Sequence, residues 1–284
     1  MALLLLAGAI VLALGGCALV DFGGRRDALL DDAKARGWVA SPRVGKVLPL
    51  LALHSPHPAG SSTLTVYIEG DGIGWRDRYT PSRDPTPLHP VGLRLALADP
   101  APDVLYLGRP CQYQDLATAP KCTVEYWTSH RLASDVIASL SAAIDEAKAA
   151  DGARDIELIG FSGGGAAAAL LAAERRDVRF FATVAADLDL DAWTKLHGVA
   201  PLSGSEDPAR SAALTARVPQ YHWVGAEDDV VPPEIVRSFT DQEGLSAASS
   251  VEVVQGYDHD CCWHREWGAR IAKRRAVLAS QPTR

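Results

Sequence analysis

The chain has 284 residues, of which 48% are hydrophobic and 22% are charged, and its formal net charge is −7. This composition is ordinary for a globular protein, and the length is sufficient for one large domain with a full core. The longest basic cluster, Lys273-Arg274-Arg275, falls within a helical pattern. We therefore expect no nucleic-acid partner.

The N-terminal stretch has the character of an export signal. Residues 1–20 carry no charge, and the apolar run ends in Leu14-Gly15-Gly16-Cys17, which resembles a bacterial lipobox. The resemblance implies a lipoprotein signal peptide over residues 1–16 and a lipid on Cys17. It places the chain in the cell envelope, on the periplasmic side and on the outer rather than the inner membrane. An uncleaved membrane anchor is the alternative, because the stretch approaches the length of a membrane span.

We predict a lipidated tether over residues 17–43 and a folded domain over residues 44–284. Within this domain, apolar runs alternate with helical patterns. The runs are 47–53, 64–70, 103–108, 156–161, 180–186, 220–225 and 250–256, and the clearest helical patterns cover 131–150, 164–176 and 264–280. Strands that alternate with helices predict an α/β fold with a mainly parallel sheet covered on both faces. In such a sheet, functional residues gather beyond the carboxyl ends of the strands.

Ser162 lies at one of these strand ends, in the sequence Gly160-Phe161-Ser162-Gly163-Gly164. Small residues on both sides of the serine allow a sharp strand-to-helix turn that exposes its hydroxyl, which is typical of a catalytic nucleophile. The alternative is a plain turn in which the serine caps the following helix.

A nucleophilic serine needs a base and an acid that orients the base, and two other strand ends supply candidates. Asp228 follows the run 220–225 in the pattern Gly-x-x-Asp-x-x-Val-Pro, with Asp229 as the alternative acid. His259 follows the run 250–256, whereas His222 falls inside a strand. These positions predict a Ser162–His259–Asp228 triad.

The order Ser162, Asp228, His259 is that of the triad in α/β-hydrolases. Residues 44–280 resemble this superfamily, and a set of motifs is similar to a group of bacterial exported α/β-hydrolase lipoproteins. These motifs are YIEGDG, RPCQY, YWT, GFSGGG, PLSGS, VGAEDDVVPP and HDCCW. The resemblance implies a single-domain α/β-hydrolase fold with a sheet of about eight strands. It also implies hydrolysis of an ester, thioester or amide through an acyl-serine, without a cofactor or metal.

The resemblance further implies an oxyanion hole formed by the backbone N–H groups of Gly163 and Asp71. Asp71 stands in Glu69-Gly70-Asp71, where hydrolases commonly have His-Gly-x. A carboxylate pointing at an oxyanion would repel it, so we expect the Asp71 side chain to turn away. A simple β-turn with an Asp-Gly signature is the alternative for this loop.

Four cysteines lie beyond Cys17, and in an exported protein we expect them to form disulfides. We favour Cys111 with Cys122, which closes a short loop, and Cys261 with Cys262. Bonds from Cys261 or Cys262 to Cys111 or Cys122 are the alternative, because adjacent Cα atoms lie closer together than a disulfide normally requires. The spacing in residues 259–264 matches no zinc pattern, so a metal site there is disfavoured.

The favoured function is that of an esterase or lipase-like serine hydrolase acting on a small-molecule acyl substrate. Trp75, Tyr79 and Trp263 are candidates for the walls of an acyl pocket, with packing as the equally weighted alternative. Two other functions stay open: a peptidase or other acyl hydrolase of the same fold, and a non-catalytic binding lipoprotein of the envelope. The sequence leaves the oligomeric state open.

Overall fold

The computed structural model describes residues 22–44, 47–56, 61–242, 245 and 248–280. The predicted signal peptide and the predicted lipid site at Cys17 lie outside these residues. None of the described helices combines the length and the apolar character that a membrane span requires.

Eight strands form one central sheet, in the order β1-β2-β6-β3-β7-β8-β9-β10. The strands of this sheet are β1 (Val39–Val44), β2 (Pro49–His54), β3 (Thr63–Ile68), β6 (Val104–Leu107), β7 (Asp155–Phe161), β8 (Val178–Val184), β9 (Gln220–Gly225) and β10 (Ser249–Val254). Two short strands, β4 (Trp75–Asp77) and β5 (Thr80–Pro81), pair separately. β2 runs antiparallel to both of its neighbours, β1 and β6, and the other neighbouring pairs of the central sheet are parallel. The predicted α/β fold with a mainly parallel sheet of about eight strands is confirmed.

Helices cover both faces of the sheet. In the described part of the chain the α-helices are α1 (Phe22–Ala35), α2 (Val91–Ala98), α3 (Ser134–Asp151), α4 (Gly163–Glu174), α5 (Leu190–His197), α6 (Ala212–Thr215), α7 (Pro233–Thr240) and α8 (Trp267–Ser280). Apolar side chains of α3, α4 and α7 form one core cluster with one face of the sheet. Those of α1, α2 and α8 form a second cluster with the other face. The inner strands of the sheet are thus buried on both sides, as their near-continuous apolar runs require.

The start of the folded domain requires a correction. The sequence predicts a tether up to residue 43, but β1 pairs with β2 from Val39 opposite His54 to Val44 opposite Pro49. In the preceding helix, Ala33 is completely buried in the second core cluster. The strand was missed because Pro42 and Arg43 make it look unlike a buried strand, and such residues are tolerated on an outermost strand.

Glu69, directly after β3, anchors the first turn of α2 to the centre of the sheet. Its carboxylate accepts hydrogen bonds from the backbone N–H groups of Gly92 (3.0 Å) and Leu93 (3.1 Å), and from the Tyr106 hydroxyl (3.0 Å). These backbone groups have no partner within their own helix, and the helix dipole favours a negative charge at this position. Burial raises the pKa of Glu69, although the hydrogen bonds act to lower it. The residue therefore fixes where the loop after β3 leaves the sheet.

We expect Glu69→Ala to lower the free energy of unfolding by about 2–4 kcal/mol, because it leaves several buried donors without an acceptor. Chemical denaturation followed by circular dichroism measures this loss. Glu227→Ala is the control, since Glu227 is exposed and its removal should change stability by less than about 0.5 kcal/mol. Equal stability of the two variants would contradict the anchoring role.

Candidate active site

Ser162 occupies a tight turn between β7 and α4. Its backbone has φ 51° and ψ −127°, a conformation that costs a residue with a side chain about 1–3 kcal/mol. The turn closes so tightly that a Cβ on Gly160 would lie 2.2 Å from the carbonyl oxygen of Gly164. The Ser162 side chain does not cap α4. The hydroxyl is therefore left available for other contacts.

The three residues predicted as a triad form a line of contacts, from Ser162 to His259 and from His259 to Asp228. The Oγ of Ser162 lies 3.2 Å from Nε2 of His259. On the other side of the ring, Nδ1 of His259 lies 3.0 Å from Oδ2 of Asp228 and 3.2 Å from Oδ1. A carboxylate only accepts hydrogen bonds, so Nδ1 carries the hydrogen and Nε2 is left to accept from the serine hydroxyl. This is the arrangement that general-base activation of a serine requires.

Asp228 and Asp229 differ sharply in their surroundings. Asp228 is buried, and its Oδ1 accepts hydrogen bonds from the backbone N–H groups of Val230 (3.0 Å) and Val231 (2.7 Å). Asp229 is exposed to solvent. The fixed carboxylate beside His259 is thus that of Asp228, and the alternative position does not reach the ring.

The charges around His259 favour its protonated form. Burial lowers the pKa of the ring, but the hydrogen bond and the charge of Asp228 raise it, and the charges of Asp260 and Asp187 add to this effect. The net result is a pKa above the ordinary value of 6.5. A stabilised imidazolium is what a base needs once it has taken a proton.

Hydrogen bonds from neighbouring residues hold the loop that carries His259 in place. Trp263 is completely buried and donates its indole N–H to the carbonyl oxygen of His259 at 3.0 Å. Asp258 accepts from the backbone N–H of Cys261 at 2.7 Å. Cys261 and Cys262 form a disulfide across a cis peptide bond, with their Cα atoms 3.3 Å apart. Trp263 therefore packs against the loop that carries His259 and does not line the cavity above Ser162.

The two backbone groups suggested for the oxyanion hole are free to act as donors. Within the described residues, neither the N–H of Asp71 nor that of Gly163 has a hydrogen-bond acceptor. The Asp71 side chain points toward two arginines: Oδ1 lies 2.8 Å from Nη1 of Arg109 and Oδ2 lies 3.1 Å from Nε of Arg131. The sequence did not reveal these arginine partners.

The loops after β3 and β6 are tied together. Gln112 donates to the carbonyl oxygen of Gly70 at 2.9 Å and accepts from the backbone N–H of Arg109 at 3.0 Å. The neighbouring Cys111 forms a disulfide with Cys122, with their Cα atoms 5.5 Å apart. Arg109 and Gln112 both follow a predicted strand, so their position at the site was inferable, whereas their partners were not.

A cavity of about 450 Å³ opens above Ser162 and His259. Its aromatic lining consists of Trp75, Trp127, Phe161 and Trp193. Trp75 is half exposed, whereas Tyr79 is 83% exposed and does not line the cavity. Of the three aromatic candidates, the structure therefore brings only Trp75 to the cavity. Arg131 and Asp187 add a polar patch to its wall.

A possible metal-binding group lies elsewhere. Among the described residues, only His54, Asp103 and Asp151 are arranged closely enough to hold an ion. Nε2 of His54 is 3.0 Å from Asp103 and 3.3 Å from Asp151, which are ordinary ion-pair distances. Asp103 directly precedes β6 and Ser162 directly follows β7, and the two strands run in the same direction. The group around His54 and the residues around Ser162 therefore lie at opposite ends of the strands.

The ring of His259 should titrate above pH 6.5 in the intact protein. We expect Asp228→Asn to lower this pKa, because burial then acts without the opposing charge. NMR titration of the ring measures the change without assuming any activity. The matched variant Asp229→Asn should shift the pKa far less, and equal shifts in both variants would contradict the assignment of the carboxylate.

No family model matches the chain, and no curated protein sequence matches it. Solved structures do match. An α/β serine hydrolase homologue from Coxiella burnetii has a TM-score of 0.55 at 18% identity, over 84% of this chain and 95% of its own. A Pyrococcus furiosus esterase has a TM-score of 0.58 at 14% identity, over 88% and 94%. A serine hydrolase without a lid from Xanthomonas campestris has a TM-score of 0.55 at 17% identity, over 86% and 97%. The chain therefore has the fold of the α/β serine hydrolases.

Proposed function

We propose that the protein is a serine hydrolase that cleaves carboxylic esters through an acyl-serine intermediate. One observation carries the proposal: Ser162, His259 and Asp228 are in hydrogen-bond contact at the floor of a cavity, at 3.2 Å and 3.0 Å. Two backbone donors without acceptors in the described chain lie beside the serine. A plain structural turn explains neither feature.

In the proposed reaction, Oγ of Ser162 attacks the carbonyl carbon of the ester and its proton passes to Nε2 of His259. The backbone N–H groups of Gly163 and Asp71 bind the oxygen that becomes negatively charged. When the tetrahedral intermediate collapses, the carbon–oxygen bond to the alcohol breaks and His259 protonates the departing alkoxide. Water then attacks the acyl-serine with His259 again as the base, and the carboxylic acid leaves. Asp228 stabilises the imidazolium in both halves.

Esters are favoured over amides by the character of the cavity and by one relative. The cavity beside Ser162 is lined by four aromatic side chains together with the aliphatic side chains of Ile73, Leu88, Val230 and Val231, which suits an apolar acyl group. The Pyrococcus furiosus protein of the same fold is an esterase. A peptidase remains the nearest enzymatic alternative, and a non-catalytic binding protein is the alternative outside enzymes.

We expect Ser162→Ala to lower kcat for ester hydrolysis by at least ~10³-fold and to abolish covalent labelling by a fluorophosphonate, with little change in thermal stability. The control is Ser129→Ala, because Ser129 also contacts a histidine ring, that of His130, at 2.8 Å. This variant should keep both labelling and activity.

Matched p-nitrophenyl esters and p-nitroanilides of the same acyl groups decide the substrate class. Turnover of the esters without detectable cleavage of the anilides supports an esterase. Preferential anilide cleavage would identify a peptidase. Absence of both labelling and turnover in the wild-type protein would leave only the binding function.

We also propose that the protein is a lipoprotein of the cell envelope, attached through Cys17 on the periplasmic side, with the outer membrane favoured. The lipobox-like sequence before Cys17 supports this proposal.

For this proposal we expect Cys17→Ser to leave the chain at its precursor mass and without lipid, because the thiol that carries the lipid is absent. Mass spectrometry of protein purified from membranes provides the measurement. The neighbouring change Ala18→Ser keeps the thiol and should still be processed. A wild-type protein that retains Met1 and carries no lipid would instead support an uncleaved anchor.

A further inference from the structure

Four charged side chains form a continuous chain of ion pairs beneath the loop after β3. Arg109 pairs with Asp71 at 2.8 Å, Asp71 pairs with Arg131 at 3.1 Å, and Arg131 pairs with Asp187 at 2.5 Å. Arg109 also donates to the backbone carbonyl oxygen of Arg131. The side chains of Arg109 and Asp187 are only 5% and 3% exposed. Most of this cluster is buried, and Asp71, Arg131 and Asp187 also reach the wall of the cavity above Ser162.

The Asp71 carboxylate lies directly against the residue that follows the nucleophile. A Cβ on Gly163 would be 2.1 Å from Oδ1 of Asp71 and 2.4 Å from its Cγ. The carboxylate therefore packs flat over Gly163, between this glycine and the two arginines. A formal negative charge thus sits next to the backbone groups that would bind the oxyanion, where an uncompensated charge opposes the reaction.

The same side chain fixes the backbone of its own loop. The hydrogen bond from Gln112 to the carbonyl oxygen of Gly70 holds the peptide before Asp71, and the ion pairs with Arg109 and Arg131 hold its side chain. Arg131 is itself held by the ring of Trp193, whose centroid is 4.8 Å from the guanidinium carbon. The direction of the Asp71 N–H group is thereby set from both sides.

We propose that Arg109 is a positioning residue for ester hydrolysis: with Arg131, it cancels the Asp71 carboxylate charge beside the oxyanion and holds the Asp71 N–H in the oxyanion hole. This inference rests on the proposed hydrolase function. Arg109 does not line the cavity that opens above Ser162. It acts on the reaction through Asp71 and not through contact with the substrate.

The test is a charge-compensation cycle with a p-nitrophenyl ester as substrate. Arg109→Gln leaves the carboxylate undercompensated and should lower kcat by ~10²-fold, the order expected for one damaged oxyanion donor, with KM changed less than about threefold. Asp71→Asn keeps the backbone donor and should lose about tenfold or less. The double variant should recover at least about tenfold in kcat over Arg109→Gln, because the repelling charge is gone.

Two further variants separate this role from a contribution to folding. Arg109→Lys keeps the charge and should retain more kcat than Arg109→Gln. Arg175→Gln is the matched control, because Arg175 also pairs with two carboxylates, those of Asp145 and Asp177 at 2.7 Å each. Arg175 follows the last residue of α4, whereas Ser162 precedes the first residue of this helix. It should reduce thermal stability and leave kcat unchanged.

The outcomes distinguish this inference from the proposed function. If the wild-type protein hydrolyses the ester and the losses of the two single variants simply add in the double variant, the inference is overturned while the hydrolase function stands. An unchanged kcat in Arg109→Gln has the same meaning. If the wild-type protein reacts with neither the ester nor the fluorophosphonate, the proposed function fails, and the inference falls with it. Recovery in the double variant supports both.

Discussion

The conformation of Ser162 is the constraint on which the site depends. A residue with a side chain adopts φ 51° here, in a turn so tight that a Cβ on Gly160 would lie 2.2 Å from the carbonyl oxygen of Gly164. The helix supplies the force: every residue from Gly163 to Ala173 is buried, so α4 cannot move away from the sheet without losing core contacts. The small side chains of this helix allow it to lie close enough for the turn to close. Packing energy far from the reacting atoms thus maintains the local strain.

The loop after β3 carries two acidic residues, Glu69 and Asp71, and each carboxylate has an identified structural role. The Glu69 carboxylate satisfies the first turn of α2, and the Asp71 carboxylate is enclosed by Arg109 and Arg131. Both solutions follow the rule that a buried charge needs partners or hydrogen bonds. An acidic loop beside a site of developing negative charge is therefore compatible with acyl transfer once its charge is cancelled.

Sequence patterns could predict the buried strands and the residues at their ends. The strand β7 and the residues Ser162, Asp228 and His259 follow from apolar runs and from the rule that sites gather at carboxyl strand ends. The outermost strand β1 was missed because its alternation is weak, and the eight-residue helices α2 and α5 are too short to show a clear period. The ion pairs of Arg109 could not be predicted, because Asp71 is 38 residues away along the chain and pairing between distant loops leaves no local pattern.

The position of β10 has a consequence for how the site fails. This strand pairs only with β9 in the described sheet, and five of its six residues are partly exposed. Ser162 follows β7, an inner strand of the same sheet, 97 residues before His259 in the chain. Outermost strands open locally at a lower free energy than central ones. Local opening of β10 would therefore displace the loop that carries His259 while the turn at Ser162, between β7 and α4, stays in place.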